Sequence, residues 1–411
     1  MPKPSRGRLD PIHGLIEAAL QPGRFIPYGE GSGFVSILEG VANQIQTLLS
    51  TDPSRAVALY EAFLAGCNEK AEEIDDSDAD LGTFAEDLIC RWIQARQAAK
   101  ADPDETAKKL LAWMDDDPYG FASSIERKAA EAFDRKGLQA FEHQVRARFD
   151  ATRGNWWANH LRAIYVAQRD VDRYVELCRE TELTPGDCEA IAGMLQAKRK
   201  FAHALMWVER GLELQKGEPF PVTGTRLAAI KRHLLKRLGR GDEALNSAWV
   251  EFQADPSRLS YDELMHYVPK AERGAWHEKA MEAAGDGQLS SLIDLWLAAR
   301  EIGRLVERLR NASNSELEGI SHYTTEPAAK RLAKSHPDVA AKVYRALGMR
   351  IVNKSKSRYY DAALASFEEA KRCYVKAGQH GEWEALVSEV RRAHRRKHGF
   401  MPAFERIVTR G

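Results

Sequence analysis

The sequence lacks an excess of charge of either sign, because 60 lysines and arginines stand against 60 aspartates and glutamates in 411 residues. A balanced chain has no overall attraction for nucleic acid or for an anionic membrane surface. It also lacks any apolar run approaching the ~20 residues that cross a bilayer, and its opening segment MPKPSRGRLDPIHGL lacks the apolar stretch of a secretory signal. We therefore expect a cytoplasmic protein that does not enter a membrane.

Cysteine is scarce and shows no pairing pattern. The five cysteines form no CxxC or CxC pair, and a chain of this length does not depend on a disulfide framework to fold. Their positions are Cys67, Cys90, Cys178, Cys188 and Cys373. Because free cysteine commonly behaves as a small core residue, we expect buried, reduced thiols.

Linear catalytic motifs are missing as well. The sequence contains no HExxH metalloprotease motif, no GxSxG nucleophile elbow and no Walker phosphate loop. Catalytic groups that converge from distant helices would leave no such motif, so this absence alone does not exclude an enzyme. We nevertheless predict a protein that is not an enzyme and that holds no cofactor or metal.

What the sequence does contain is helical periodicity. Apolar residues recur at i, i+3, i+4 and i+7 along almost every segment, and no convincing alternating strand is found. Proline interrupts these patterns where a helix can begin or end, since it fits the first turn but not the interior. Such junctions occur at Asp52-Pro53, Asp102-Pro103, Thr184-Pro185, Asp255-Pro256 and His336-Pro337. The pattern predicts about twenty helices of roughly 10 to 20 residues with short connections.

The predicted helices also repeat in pairs. In AIAGMLQAKRKFAHALMWVERGLEL, small or apolar residues occupy the spacings that a tetratricopeptide-type helical hairpin requires. The same kind of pattern occurs again about forty residues later and once more near the C-terminal end. The residues are, in the quoted stretch, Ala192, Leu195, Ala204, Val208 and Gly211; in the second, Leu235, Gly239, Ala244, Ala248 and the closing Pro256; and in the third, Ala363, Phe367 and Ala370. Arg232 stands where the strict pattern requires a small residue. We therefore predict an all-α fold, an irregular α-solenoid of tetratricopeptide-like helical hairpins.

Residues 1–33 depart from this periodicity. The segment QPGRFIPYGEGSGF carries three alternate glycines and two prolines. A GxGxG run can wrap a phosphate group, but only where it follows a strand and opens a βαβ unit, and no strand precedes it. We predict a flexible N-terminal arm over 1–33, an N-terminal helical region over 34–150 and a tetratricopeptide-like repeat region over 151–411.

The acidic loop EKAEEIDDSDADLGTFAED has two interpretations. Asp76, Asp78 and Asp80 alternate, which resembles the ligand spacing of a calcium loop, and a further acid, Asp87, is twelfth from Asp76. The sixth position, which requires glycine, is Leu81, and the last ligand is a short aspartate instead of a bidentate glutamate. We favour helix capping, with Asp78 or Asp80 as the cap of a helix that begins near Leu81.

Two histidines near the C-terminal end, His394 and His398, are four residues apart, a spacing that can direct two imidazoles at one zinc ion. The surrounding arginines and lysine would repel a divalent cation, and no third ligand is nearby in the sequence. His394 also falls on the apolar stripe of a helix predicted from about Gly381 to Lys397. The other members of this stripe are Trp383, Leu386, Val387 and Val390. We therefore predict a packed histidine.

Charge is unevenly distributed although its sum is zero. From Arg331 to Gly411 there are 18 lysines and arginines against 8 aspartates and glutamates, a net charge of +10 before histidine is counted. The candidate partner-binding residues of this region are Arg391, Arg392, Arg395, Arg396 and Lys397. The four arginines fall on the side of the predicted helix opposite the Trp383 stripe. They form either a solvated helix face or a docking surface for an acidic partner or a phosphate backbone.

Two C-terminal runs carry a resemblance to a known family. KSRYYD at 356–361 and EWE at 382–384, with the helical sequence around them, resemble the helical C-terminal part of bacterial proteins that carry SWIM-type zinc fingers. The chain is also similar to a related stand-alone bacterial family of unknown function, and the likeness extends over residues 35 to 411. No CxC pair followed by Cys-x-His is present, so the zinc site of a SWIM finger and its suggested DNA or protein contacts are not carried over. The resemblance implies a helical-repeat fold and a bacterial origin.

These patterns predict a scaffold. An array of helical hairpins exposes a long surface that suits extended or helical partners, so we predict a non-enzymatic scaffold that binds another protein. The alternative is an accessory subunit associated with nucleic acid through the basic C-terminal helices, whose affinity would fall steeply with salt.

Overall fold

The computed structural model describes residues 10–122, 125–216, 222–354 and 356–409. Within these ranges the regular secondary structure is helical, apart from one isolated parallel bridge between Ile26 and Ile74. The prediction of an all-α fold is therefore confirmed.

The chain divides into two compact units, Met1–Ala228 and Ala229–Gly411. The sequence predicts a boundary between residues 150 and 151. This position lies inside the helix Arg135–Thr152, so the chain does not divide there. That helix continues past residue 145 because Val145 and Phe149 extend its buried stripe, and a stripe of this kind stabilises a helix by packing.

The helices of the first unit follow one another with short connections. They are α1 (Pro11–Leu20), α2 (Gly31–Thr47), α3 (Pro53–Lys70), α4 (Asp80–Ala98), α5 (Pro103–Asp115), α6 (Glu126–Ala132), α7 (Arg135–Thr152), α8 (Asn155–Gln168), α9 (Val171–Glu180), α10 (Pro185–Ala197) and α11 (Phe201–Leu214). The next helix, α12 (Val222–Arg237), contains the boundary between the two units.

The second unit continues in the same manner. Its helices are α13 (Gly241–Ala254), α14 (Arg258–Tyr267), α15 (Arg273–Ala283), α16 (Leu289–Ala299), α17 (Ile302–Asn311), α18 (Asn314–Gly319), α19 (His322–Leu332), α20 (Pro337–Asn353), α21 (Tyr360–Lys376), α22 (His380–His394) and α23 (Met401–Thr409). Short 3-10 turns join some of them, and the turn Ser357–Tyr359 leads into α21.

Proline marks helix starts as the sequence predicts. Pro53, Pro103 and Pro185 each occupy the first turn of a helix. The residue before each proline caps the helix: the Asp52 carboxylate, for example, accepts a hydrogen bond from the backbone N–H of Arg55 at 3.1 Å. Such a cap satisfies an amide that has no partner within the helix, so local chemistry explains these boundaries.

Small residues bring paired helices close together. A β-carbon added at Gly348 of α20 would lie 2.7 Å from the Phe367 ring of α21. One added at Gly211 of α11 would lie 2.9 Å from the β-carbon of Cys188 of α10. The helices of each hairpin therefore approach more closely than larger residues would allow, as predicted for tetratricopeptide-like packing.

Arg232 explains one irregularity of the repeat. Its side chain is 2% exposed, and it forms ion pairs with Glu251 of α13 and Glu263 of α14. The Arg232 Nε atom donates to Glu263 at 3.0 Å. A buried cation held by two carboxylates thus occupies the position where the repeat pattern requires a small residue.

The prediction of a flexible arm is wrong for residues 10–33, and residues 1–9 lie outside the described residues. Ile16 and Ile26 are 2% and 1% exposed. The backbone of Ile26 pairs with the chain at Glu73 and Asp75, through hydrogen bonds of 2.8 and 2.9 Å. These partners are far away in the sequence, so the packing of this segment depends on contacts that local periodicity does not report.

The cysteines are free thiols. Four of them are buried and Cys90 is half-buried, so the prediction of buried thiols holds for four of the five. Burial raises the pKa of Cys67 to about 12 and that of Cys90 to about 11. In the part of the chain that the structure describes, every helix is too short or too polar to span a bilayer.

Candidate functional site

The acidic loop caps a helix, but through a different residue from the one predicted. The Asp76 carboxylate accepts hydrogen bonds from the backbone N–H groups of Leu81 and Gly82 at 2.8 and 3.0 Å. Ala79 has a left-handed backbone with φ of 57°, and this turn brings the amides of α4 back toward Asp76. Neither Asp78 nor Asp80 is the cap, and no group of three or more His, Cys, Asp or Glu within the described ranges could hold a metal ion.

The apolar stripe of α22 is buried as predicted. Trp383 and His394 are 8% and 6% exposed, and the other stripe residues are buried with them. The helix ends at His394 and does not reach Lys397, so His398 lies beyond its end and is exposed. Burial lowers the pKa of His394, and the nearby charge of Lys397 lowers it further.

The five candidate partner-binding residues are not equivalent. Arg391 donates to Glu405 of α23 at 2.9 and 2.6 Å, which raises the pKa of Arg391. The half-buried Lys397 donates to the backbone carbonyl of Val352. The remaining three, whose side chains are exposed and make no ion pair or hydrogen bond within the described chain, are Arg392, Arg395 and Arg396.

A groove in the second unit brings together residues that sequence reasoning did not select as a site. It lies between α19, α20, the turn Ser357–Tyr359 and α21, and it encloses about 800 Å³. We call it the Tyr323 groove. Its lining residues are His322, Tyr323, Glu326, Lys330, Tyr344, Leu347, Arg350, Ile351, Lys354, Lys356, Tyr359, Ala362, Ala365, Ser366 and Glu369.

Aromatic rings stand on two sides of the Tyr323 groove. Tyr323 is 80% exposed, and its ring lies 4.0 Å from the imidazole of His322, centroid to centroid. Tyr359, from the KSRYYD run, is 41% exposed, and the Arg358 guanidinium lies 4.6 Å from its ring centroid. Tyrosine is enriched at protein–protein interfaces relative to the rest of the protein surface.

The interior of the groove is apolar. Tyr344 and Leu347 of α20 are buried below it, and Ile351 is half-buried beside them. On the α21 side the lining is small, with Ala362 and Ala365 both exposed. The combination leaves room above an apolar floor.

Positive charge in the groove is not balanced by its acids. Glu326 pairs with Lys330 at 2.6 Å, and Glu369 pairs with Arg372 at 2.6 Å. The three groove cations whose side chains form no ion pair or hydrogen bond in the described chain are Arg350, Lys354 and Lys356. The Nε atom of Arg350 is buried and has no acceptor there.

A second groove lies in the first unit. It encloses about 990 Å³ among α6, α7, α8 and α9. Two of its three lining arginines are already paired: Arg173 contacts Glu142, and Arg146 lies 2.7 Å from Glu180. Because these charges satisfy one another, we regard the Tyr323 groove as the stronger candidate.

One chain of titratable groups has the order of a catalytic relay. The Tyr261 hydroxyl lies 2.8 Å from Nδ1 of His277, whose Nε2 lies 3.0 Å from a carboxylate oxygen of Glu301. Burial raises the pKa of Tyr261. The three side chains connect α14, α15 and the residue before α17.

Comparison with known families assigns the chain to one of them. One family model matches residues 146–403, well over half of the sequence. The chain belongs to DUF6880, a family of unknown function. The match includes every residue that lines the Tyr323 groove, so the groove is part of the DUF6880 region. The predicted similarity to a family of unknown function is confirmed, and the relation to SWIM-finger proteins stays a prediction.

No curated protein matches this DUF6880 chain. Among solved structures, it is similar to a chain from "Structure of Naa15/Naa10 bound to HypK-THB", with 10% sequence identity and a TM-score of 0.38. The match covers 94% of this chain and 64% of the other, so this chain spans less than two thirds of that chain's length.

Proposed function

We propose that this protein is a non-enzymatic helical-repeat scaffold that binds another protein through the Tyr323 groove. The observation that supports this most is the groove itself, about 800 Å³ with an exposed tyrosine on its wall and an apolar floor. Helical hairpins present surfaces against which extended or helical segments can lie. We also propose the cytoplasm of a bacterium as its location, from the composition and the family resemblance.

The exposed aromatic rings favour a protein as the partner. Tyr323 and Tyr359 are 80% and 41% exposed, so both rings can be buried on binding without any opening of the fold. Tyrosine supplies large, rigid contact area at low cost in side-chain entropy, and it is enriched among residues that dominate the energy of protein interfaces.

Filling the groove tests this proposal. Ala365→Trp adds an indole to the α21 side, and the fold should tolerate it because Ala365 is exposed. Val375→Trp is the matched control, since Val375 is an exposed residue of the same helix outside the groove. We expect cross-linking in the native host, followed by mass spectrometry, to recover a partner with the parent and Val375→Trp chains but not with Ala365→Trp. Equal recovery with all three would contradict the proposal.

A nucleic-acid-associated role is the second candidate, favoured by the exposed trio Arg392, Arg395 and Arg396. Phosphate contacts make affinity fall with salt, each contact adding about −0.9 to the log–log slope on duplex DNA. Under this alternative, Arg395→Glu with Arg396→Glu should weaken duplex binding and flatten the slope. A chain that does not bind duplex DNA or RNA at low salt would exclude it.

A further inference from the structure

We propose that the occupant of the Tyr323 groove is an acidic segment of the partner protein, a peptide that carries both a carboxylate and a large apolar side chain. This inference rests on the proposed function and adds the chemistry of the partner to it. Four features of the groove support it: its unpaired cations, the buried donor of Arg350, the apolar floor and the small residues of α21.

The first feature is the excess of unpaired positive charge. Arg350 and Lys354 are four residues apart at the end of α20, so they project from the same side, and Lys356 follows in the connection to α21. The C-terminal end of a helix carries about half a negative charge, which offsets only a fraction of the charge of these three cations. Since the groove acids are engaged with other cations, an anionic group from outside is the complement that the groove lacks.

The second feature is the state of Arg350. Its Nε atom is buried but has no hydrogen-bond acceptor in the described chain. Buried donors without an acceptor are rare in folded proteins. A guanidinium offers a planar pair of donors that matches the two oxygens of a carboxylate, so an aspartate or glutamate of the partner would satisfy this group.

The third and fourth features indicate which apolar side chain the peptide carries beside its acid. Leu347 and Ile351 form an apolar floor beside the cations, and Ala362 and Ala365 leave space above it. A leucine or phenylalanine side chain would bury its surface there and bring the exposed ring of Tyr323 down onto it. The groove thus requires an apolar anchor close to an acid.

A polyanionic backbone suits this groove less well than a peptide does. Within the described chain the unpaired cations of the groove are only three, Arg350, Lys354 and Lys356, whereas a nucleic-acid backbone presents a continuous row of phosphates. The apolar floor also offers no partner for a phosphate group.

Selection from random peptides tests the inference while the partner itself is still unidentified. A library displayed on phage is selected against the immobilised full chain, with the Ala365→Trp chain as the counter-selection. We expect the enriched peptides to combine aspartate or glutamate with leucine or phenylalanine. Fluorescence anisotropy then gives the Kd of one enriched peptide, and of the same peptide with its acids changed to Asn or Gln.

Three variants identify the groups that recognise the acid. Lys354→Glu with Lys356→Glu should weaken binding of the acidic peptide at least about tenfold and remove most of its salt dependence. Lys198→Glu with Lys200→Glu makes the same change in charge at exposed positions outside the groove, and it should leave the Kd unaltered. Arg350→Lys keeps the charge but loses the planar fork, so it should also weaken binding.

The outcomes separate this inference from the proposed function. Enriched peptides that bind in the groove but are neutral or basic would overturn the acidic partner and leave the scaffold proposal intact. Enrichment of no groove-dependent peptide, or displacement of the acidic peptide by duplex DNA through the groove cations, would also overturn the inference. The scaffold proposal is decided separately, by cross-linking with Ala365→Trp and Val375→Trp.

Discussion

Arg345 of α20 and Glu389 of α22 are joined through one guanidinium nitrogen, which lies 3.0 and 2.7 Å from the two carboxylate oxygens of Glu389. A second nitrogen of Arg345 donates to Glu318 of α18 at 3.0 Å. Arg345 is 7% exposed, so these two acids hold a buried cation that connects three helices. This connection fixes α20, which supplies the floor of the Tyr323 groove.

We expect Glu389→Gln to lower the free energy of unfolding by about 1 to 2 kcal/mol, because Arg345 loses one of its two charged acceptors while partial exposure of Glu389 moderates the effect. Urea titration measures the change. Glu405→Gln removes the exposed contact with Arg391 and should have no measurable effect. Equal losses in the two variants would show that burial of Arg345 is unimportant.

Gly348→Ala should destabilise the chain by roughly 1 to 3 kcal/mol, since the new methyl group would meet the Phe367 ring at 2.7 Å and force α20 away from α21. Gly303→Ala on α17 is the control, because its new methyl group has no neighbour within 4 Å. There the change should stabilise the helix by about 0.5 to 1 kcal/mol. Thermal melts of both variants test the close approach, and a stabilised Gly348→Ala chain would argue against it.

Trp383→Ala should cost roughly 3 to 5 kcal/mol, because it removes a buried aromatic side chain that packs 6.4 Å from the Phe404 ring of α23, centroid to centroid. Arg392→Ala with Arg395→Ala should cost little, since exposed charges contribute within about 0.5 kcal/mol each. If those arginines bind a partner, the double change should weaken binding and leave the melting temperature almost unaltered. A large loss of stability in the double variant would mean that the helix face is wrongly assigned.

The stability of the second unit should fall as the solution becomes acidic, partly through His394. Burial holds its pKa below the ordinary value of about 6.5, so the unfolded chain takes up a proton first and the free energy of unfolding decreases below about pH 6.5. Neither ring nitrogen has a hydrogen-bond partner in the described chain. His394→Leu should therefore be neutral or stabilising near neutral pH and should reduce the acid-induced loss.

Denaturant titrations across about pH 5 to 7.5 measure the His394 effect. His398→Leu, at an exposed position, should leave the pH dependence as in the parent. If His394→Leu and the parent lose stability in parallel below pH 6.5, the buried imidazole is not responsible.

Helix positions could be predicted from the sequence because their causes are local. The proline at the start of α3 and the cap on Asp52 both act within one turn. The order of segment 10–33 could not be predicted because it comes from distant residues: the amine of Lys70, for instance, donates to the backbone carbonyl of Gln21 at 3.0 Å. Periodicity within the segment carries no record of such a contact.

Only part of the candidate site could be predicted from the sequence, for a related reason. The spacing of Arg350, Lys354 and Lys356 can be read in the sequence as a basic helix end. That these cations are unpaired depends on where Glu326 and Glu369 find their partners, and that depends on the packing of α19 and α21. The exposed trio at and just beyond the end of α22 was easier to predict because its arginines lie within five residues of the chain.

The buried guanidinium of Arg232 also restricts how this chain could have evolved by duplication of helical hairpins. In an array of identical repeats any hairpin can be duplicated, because each repeat contacts only its neighbours. A second copy of α12 beside a different hairpin would bury a cation without Glu251 and Glu263, and a buried charge without a partner is strongly destabilising. Charge therefore fixes the order of the hairpins at this point, so they are not interchangeable modules and a shuffled chain would fail here.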